Sequence, residues 1–178
     1  MMREYLSSVH GVDRNVGRLL AVLDELKLAA NTVVIFTSDH GYNLGHNGIW
    51  HKGNGHWALL DPPPGTKNVP RGQRPNMYDH SLRVPAAVRW PGVIKPGTLV
   101  NEIFSQEDWM PTLLAAAGEP NVVEKLKQGY KANGKTFKVH ADGYNFMPYF
   151  KGEVKKGPRE EIFYFAQGGE LNAVRWND

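Results

Sequence analysis

An amphipathic segment that runs directly into a short apolar one constrains the fold of this chain most strongly. Between Glu4 and Leu28, apolar residues recur every three or four positions, which predicts a long helix with one apolar face. The sequence AANT interrupts this pattern, and Thr32–Phe36 (TVVIF) then predicts a buried strand that is central and parallel in its sheet. A helix, a tight loop and a buried strand in this order indicate an α/β fold with helices covering a sheet.

The composition favours a folded domain and excludes several classes of function. With 41% hydrophobic and 11% aromatic residues, the 178-residue chain can bury a core. The chain contains 21 Lys and Arg and 18 Asp and Glu, and its basic residues form no stripe interleaved with aromatic residues. This pattern argues against nucleic-acid binding. The absence of cysteine excludes disulfides, thiolate nucleophiles and cysteine-bound zinc. No apolar run approaches the roughly 20 residues of a membrane span.

The rest of the chain predicts a long loop followed by mixed elements. Gly41–Asn76 is rich in Gly, Asn, Pro and His, which predicts an irregular and therefore functional or disordered segment. The elements expected after it are a strand in RVPAAVRW, a turn in PGVIKPG, a helix in SQEDWMPTLLAAAGEP, and strands in TFKVH, EEIFYFA and NAVRWND. For the helix, Ser105 or Asp108 marks the start, Pro111 lies in the first turns and Gly118 marks the end.

Asp39 and His40 follow the predicted buried strand immediately. The carboxyl ends of strands in open α/β sheets border the ligand crevice, so both side chains are expected there. A carboxylate beside a neutral imidazole offers two metal ligands. An oxygen-rich site suits calcium or magnesium, and additional imidazoles favour zinc or manganese. The alternative is that Ser-Asp-His-Gly forms only the end of a strand and a turn.

Lys52 follows Asp39 by thirteen residues, beyond a loop that contains Gly41, Gly45 and Gly48. Because glycines allow tight folding, this loop can return the lysine over a metal-bound anion, where its ammonium would stabilise oxygen charge. The alternative is a solvated surface lysine. Four of the seven histidines lie between His40 and His56, and they are either further acids and ligands or parts of a solvated loop.

In these motifs the chain resembles the sulfatase family of the alkaline phosphatase-like superfamily, in the later part of its catalytic domain. The similarity is carried, in order, by LLAVLDELKLAANTVVIFTSDHG, SLRVPAAVRWPG, FSQEDWMPTLLAAAGEP and REEIFYFAQGGELNAVRWND. The resemblance implies a partial alkaline phosphatase-like α/β fold, a mixed sheet flanked by helices that lacks its N-terminal portion. It implies one partial domain over residues 1–178, with a C-terminal subdomain starting near residue 136.

The resemblance also implies roles for individual residues. Asp39 and His40 match the second pair of divalent-cation ligands, usually of Ca²⁺, with Mg²⁺, Mn²⁺ and Zn²⁺ as less common alternatives. Lys52 matches the catalytic lysine that contacts the substrate's sulfate. The sequence LGHNGIW departs from the family's LGEHGxW, so no role carries over to His46 or Asn47.

The segment between Gly53 and Asn76 resembles a subfamily-specific insertion that forms a substrate wall. His56 and Trp57 are the candidate substrate-binding residues in it, and surface packing is the alternative for each. The implied substrates are sulfate esters, among them sulfated carbohydrates.

Sulfatases use a formylglycine made from the Cys or Ser of a C/S-x-P-x-R motif, and the present sequence contains no such motif. The chain is therefore expected to start after the first half of the domain. We expect it to be inactive and poorly soluble alone, or to work beside the missing N-terminal part. Its first residues contain no signal-peptide core, and although full-length relatives are often exported, the sequence predicts no compartment.

Two other functions stay open at this point. In a two-metal phosphoesterase of the same superfamily, Asp39 and His40 would be joined by His80 or His140. In a non-catalytic remnant, the chain would bind a partner or an anion without catalysis, which the missing nucleophile favours.

Overall fold

The computed structural model describes residues 2–46, 52, 56–59, 72–75, 78–165 and 169–177, with 56–59 and 72–75 described by their backbone alone. The chain divides into two units, Met1–Pro96 and Gly97–Asp178, and each is described by itself. None of the helices in the described residues is both long enough and apolar enough to cross a membrane. The single-domain assignment and the subdomain start near residue 136 stay predictions.

The first unit begins with the predicted helix, α1, which spans Met2–Glu25. The left-handed Lys27 (φ 58°) follows the end of the helix, and a 3₁₀ turn over Ala29–Asn31 leads to the next strand. The Thr32 hydroxyl donates to the Leu28 carbonyl at 2.8 Å and closes this connection. The helix and the interruption at AANT are thereby confirmed.

The apolar stripe of α1 is present, but it is not part of a core. None of the residues of α1 is buried. Its exposed apolar side chains include Tyr5, Val9, Val12 and Leu19, while Val16, Leu20 and Leu23 are half-buried.

Two antiparallel strand pairs follow in the first unit. The elements in chain order are β1 (Val34–Thr37), β2 (His56–Leu59), β3 (Gly72–Pro75), α2 (Asp79–Leu82) and β4 (Ala86–Arg89). In the described residues β1 pairs with β4, and β2 pairs with β3.

The position and identity of β1 are confirmed, but its predicted parallel, central placement is wrong. Val34 lies opposite Arg89 and Thr37 opposite Ala86, which is antiparallel register in a two-stranded sheet. Phe36 is also 43% exposed. An apolar run indicates a tendency to be covered, but it contains no information on the direction of the neighbouring strand, which decides the pairing.

The predicted irregular segment Gly41–Asn76 is wrong in part, because β2 and β3 form an antiparallel ribbon within it. His56 lies opposite Pro75, and Leu59 lies opposite Gly72. Gly and Pro are tolerated here because both are at the ends of an edge strand, where few ladder hydrogen bonds are lost. Residues 60–71, including the run of three prolines, lie outside the described residues.

The second unit contains the predicted helix and two further strand pairs. The helix α3 spans Trp109–Ala116 behind a 3₁₀ turn over Gln106–Asp108, and Gly118 (φ 98°) follows its end, as predicted. The other elements are α4 (Val122–Gln128), β5 (Tyr130–Ala132), β6 (Lys135–Phe137), α5 (Met147–Phe150), β7 (Glu161–Phe165) and β8 (Leu171–Trp176). Antiparallel pairing joins β5 to β6 and β7 to β8, and β6 covers only part of the predicted TFKVH strand.

The core of this second unit combines an aromatic cluster with a buried ion pair. Phe146 is fully buried, and its ring lies 4.8 Å from that of Phe104 and 5.8 Å from that of Phe150. Asp108, also fully buried, receives hydrogen bonds from Nε and Nη2 of Arg159, both at 2.8 Å.

Candidate metal half-site

The residues that follow β1 form a short turn that presents the predicted metal pair. Strand β1 ends at Thr37, and the Ser38 hydroxyl then donates to the His40 carbonyl at 2.8 Å. This bond closes the backbone around Asp39, which puts its side chain at the outside of the turn. The Asp39 side chain is 87% exposed and that of His40 is 38% exposed.

The geometry of His40 identifies the ring nitrogen that is available to a ligand. His40 Nδ1 lies 2.9 Å from the Gly41 carbonyl oxygen. A carbonyl oxygen can only accept, so Nδ1 carries a proton, and in the neutral form of the ring Nε2 keeps its lone pair. A histidine that donates its second nitrogen to a backbone carbonyl is the usual arrangement for a metal ligand.

The free nitrogen of His40 and the carboxylate of Asp39 are close to each other. Nε2 lies 3.6 Å from Asp39 Oδ1. Calcium–oxygen distances are about 2.3–2.6 Å, so one cation can contact both atoms. In the part of the chain that the structure describes, no group of three or more His, Cys, Asp or Glu side chains could hold a metal. The described residues thus contain no complete metal site, and the metal roles of Asp39 and His40 stay predictions.

Gly41 fixes the other side of this turn through a close approach of two backbones. Its N–H donates to the Ser81 carbonyl at 3.0 Å. A Cβ at position 41 would overlap sterically with the His80 carbonyl oxygen. The glycine is required here for space, since no larger residue fits between the turn and α2.

A buried side-chain hydrogen bond joins the same two segments. Asn43 is 0% exposed and Ser81 is 7% exposed, and Asn43 Nδ2 donates to Ser81 Oγ at 2.7 Å. The sequence analysis did not identify either residue. The pair is separated by 38 positions, and a single sequence contains no signal that two such distant polar residues meet.

Two histidines stack beside this contact. The His46 and His80 rings lie 4.1 Å apart with an interplanar angle of 14°. The Leu44 N–H donates to His46 Nδ1 at 3.3 Å, so that nitrogen is unprotonated. For His80, the ligand considered for a phosphoesterase, the structure thus shows a stacking role. His140, the other such ligand, is an exposed residue of the second unit.

Among the described atoms, no contact joins the metal pair to the other predicted site residues. Lys52 is exposed and forms no hydrogen bond or ion pair among the described residues. His56 and Trp57 belong to β2, and their side chains lie outside the described part, as do Asn47 and His51 entirely. The roles expected for Lys52, His56 and Trp57 stay predictions.

Comparison with known families assigns the chain. The family model described as "Sulfatase" matches residues 1–119, and that described as "N-sulphoglucosamine sulphohydrolase, C-terminal" matches residues 73–166. The chain belongs to the sulfatase family, which confirms the family inferred from its motifs, and its placement in the later part of the catalytic domain stays a prediction.

Individual relatives are similar over most of the chain. The chain is 35% identical to the steryl-sulfatase of Rattus norvegicus and 30% identical to the arylsulfatase H of Homo sapiens, and each match covers 97% of the present chain. It is 32% identical to the N-acetylglucosamine-6-O-sulfatase of Bacteroides thetaiotaomicron over 76%. These matches cover 26%, 26% and 21% of the relatives, so the chain spans about a quarter of their length or less.

Proposed function

We propose that this chain is the later part of a sulfuric ester hydrolase and supplies half of its divalent-cation site. Asp39 and His40 would hold the ion, and Ca²⁺ is the ion proposed first. The observation that carries this proposal is the hydrogen bond from His40 Nδ1 to the Gly41 carbonyl, because it leaves Nε2 available 3.6 Å from the Asp39 carboxylate. The alkaline phosphatase-like fold of the family supports the same placement.

Asp39, His40 and Lys52 would each make a different electrostatic contribution. A bound divalent cation would supply positive charge that polarises the sulfate group and orients it. Asp39 would contribute a formal negative charge to the ion, and neutral His40 would contribute a lone pair. Lys52 would approach from the loop as a compact cation and stabilise charge on the sulfate oxygens, which is why it is proposed as catalytic.

The proposed substrates are sulfate esters, with sulfated carbohydrates foremost among them. Relatives named N-acetylglucosamine-6-O-sulfatase and Endo-4-O-sulfatase support the carbohydrate class. His56 and Trp57 would belong to the substrate wall, a role that rests on the resemblance of their segment to a subfamily-specific insertion.

We further propose that the 178 residues alone do not turn over sulfate esters. The sequence contains no cysteine and no Ser-x-Pro-x-Arg motif, so it has no precursor for the covalent nucleophile of the family. A complementary N-terminal segment would supply that nucleophile and the other metal ligands.

Calorimetry with calcium tests the metal half-site. The purified chain and an Asp13→Ala control, which removes an exposed acid of α1, are expected to bind calcium weakly and equally. Asp39→Ala and His40→Ala are expected to lose the binding heat. No heat with the unaltered chain would favour the non-catalytic remnant instead.

Turnover assays separate the enzyme classes. With 4-nitrophenyl sulfate and 4-nitrophenyl phosphate, the pure chain is expected to be inactive. Sulfate turnover that Lys52→Ala abolishes and Lys138→Ala preserves would overturn the proposed inactivity and support the role of Lys52. Faster phosphate turnover would support the phosphoesterase alternative.

A further inference from the structure

Helix α2 contacts the metal-pair turn through one residue that makes two bonds. Ser81 accepts the Gly41 N–H at its carbonyl (3.0 Å) and the Asn43 amide at its hydroxyl (2.7 Å). These acceptors bracket the turn residues that directly follow His40. The stacked rings of His46 and His80 add a third contact between the same two segments.

The contact is shielded from solvent, in contrast to the metal pair itself. Asn43 and Ser81 are buried, whereas Asp39 is 87% exposed. A hydrogen bond in a buried environment is electrostatically stronger than one exposed to water. The turn is therefore held by a buried contact on the side of α2, and its Asp39 side is exposed to solvent.

A continuous series of bonds leads from Ser81 to the His40 ring. The Ser81 backbone carbonyl accepts the Gly41 N–H, and the Gly41 carbonyl accepts the proton on His40 Nδ1. The side-chain bond from Asn43 to Ser81 Oγ holds this carbonyl beside the turn, so its loss in an alanine variant would loosen both backbone bonds. Displacement of Gly41 would therefore remove the acceptor that sets the tautomer and the orientation of His40.

We propose that Ser81 and Asn43 are positioning residues that hold Gly41, and through it His40 Nε2, in the orientation that receives the cation. This inference rests on the metal half-site proposed above and deepens it. Neither residue would touch the ion. Their role would be to reduce the number of orientations of His40 before binding, as outer-shell partners do in metal sites.

The test combines metal affinity with the tautomer of His40. Calcium affinity is measured by calorimetry, and the tautomer by ¹H–¹⁵N NMR of the imidazole nitrogens without metal. In the unaltered chain, we expect His40 to be protonated at Nδ1. In Ser81→Ala and Asn43→Ala, we expect a mixture of tautomers and about tenfold weaker calcium binding, at the low end for outer-shell changes.

Matched variants separate positioning from general stability. Ser81→Thr retains the hydroxyl and is expected to restore both readouts. Ser8→Ala removes an exposed hydroxyl that bonds the Glu4 carbonyl on α1, and it is expected to change neither. Unaltered calcium affinity and an unaltered tautomer in a folded Ser81→Ala chain would overturn the proposal.

Two further readouts keep the proposal open to refutation. If the alanine variants do not fold, hydrogen exchange of the Gly41 amide in the unaltered chain decides: protection supports the contact, and exchange at the rate of an open loop contradicts it. If the unaltered chain binds no calcium, the proposed half-site fails, and the tautomer measurement still shows whether Ser81 orients His40.

Discussion

Two aspartates, one in each unit, show how differently the chain uses a carboxylate. Asp108 is 0% exposed, and its two oxygens accept four hydrogen bonds, from the Ser105 and Tyr144 backbones and twice from Arg159. Asp39 is 87% exposed, and its Oδ1 lies 3.6 Å from Nε2 of His40. A carboxylate whose lone pairs are filled by protein donors cannot take a cation, and an exposed one can.

Burial and hydrogen bonding thus distinguish a carboxylate that stabilises the fold from one that is free to bind a ligand. Arg159 also donates to the Asp142 carbonyl at 2.9 Å and pairs with Glu107 at 2.6 Å. Its guanidinium lies 4.7 Å from the centre of the Tyr144 ring. Asp108 is fully buried and Arg159 is almost fully buried, so the pair stabilises the second unit.

The largest effect is expected from breaking the buried pair. Arg159→Ala leaves the Asp108 charge buried without its partner, and we expect a loss of about 3–5 kcal/mol in the free energy of unfolding. Urea unfolding measures it. Arg83→Ala is the matched control, because the Arg83–Asp79 pair spans 3.5 Å between exposed side chains and should contribute less than about 0.5 kcal/mol. Equal losses in the two variants would contradict the structural role of Arg159.

A smaller loss is expected at the backbone approach in the first unit. Gly41→Ala pushes a methyl group against the His80 carbonyl, and we expect a loss of about 1–3 kcal/mol together with weaker calcium binding. Gly17→Ala is the control, since a Cβ there meets no atom within 4 Å in the middle of α1. It should stabilise the chain by about 0.5–1 kcal/mol. Tolerance of alanine at position 41 would show that α2 does not press on the turn.

An exposed metal ligand should contribute almost nothing to stability without metal. Asp39→Ala is expected to change the free energy of unfolding by less than about 0.5 kcal/mol in chelator. With saturating calcium, the unaltered chain should gain stability by mass action, and the variant should not. A large loss in the free energy of unfolding in chelator would show that Asp39, like Asp108, stabilises the fold.

The smallest expected effect concerns pH. Tyr144 donates to Glu161 at 2.7 Å, and this bond, followed by burial and the Glu161 charge, raises the pKa of Tyr144. The contribution to stability is complete below the unfolded pKa of about 10 and is lost as the pH rises through the folded value. Urea unfolding between about pH 8 and about pH 11 should show a fall that Tyr144→Phe reduces. An identical fall in both proteins would remove Tyr144 as its source.

The sequence predicted the local features of both units, and it did not predict what depends on distant partners. The α1 periodicity and the Gly118 stop near α3 are local signals, and both were confirmed. The antiparallel partner of β1 was not predicted, because the apolar composition of TVVIF predicts a strand and contains no information on strand direction, and none of the residues of β1 is fully buried. Asp39 and His40 were proposed from their place after a strand, and their role stays a prediction. Ser81 lies 38 residues from Asn43, and Arg159 lies 51 residues from Asp108. No local pattern in a single sequence predicts such long-range contacts.

The central claim, that Asp39 and His40 hold a divalent cation together, is tested most directly by NMR of the His40 imidazole during a calcium titration. We predict a saturable change of the His40 Nε2 resonance in the unaltered chain, its absence in Asp39→Ala, and an unchanged His10 resonance on the exposed face of α1 in both. A His40 resonance that does not respond to calcium, or that responds equally with and without the Asp39 carboxylate, would contradict the account.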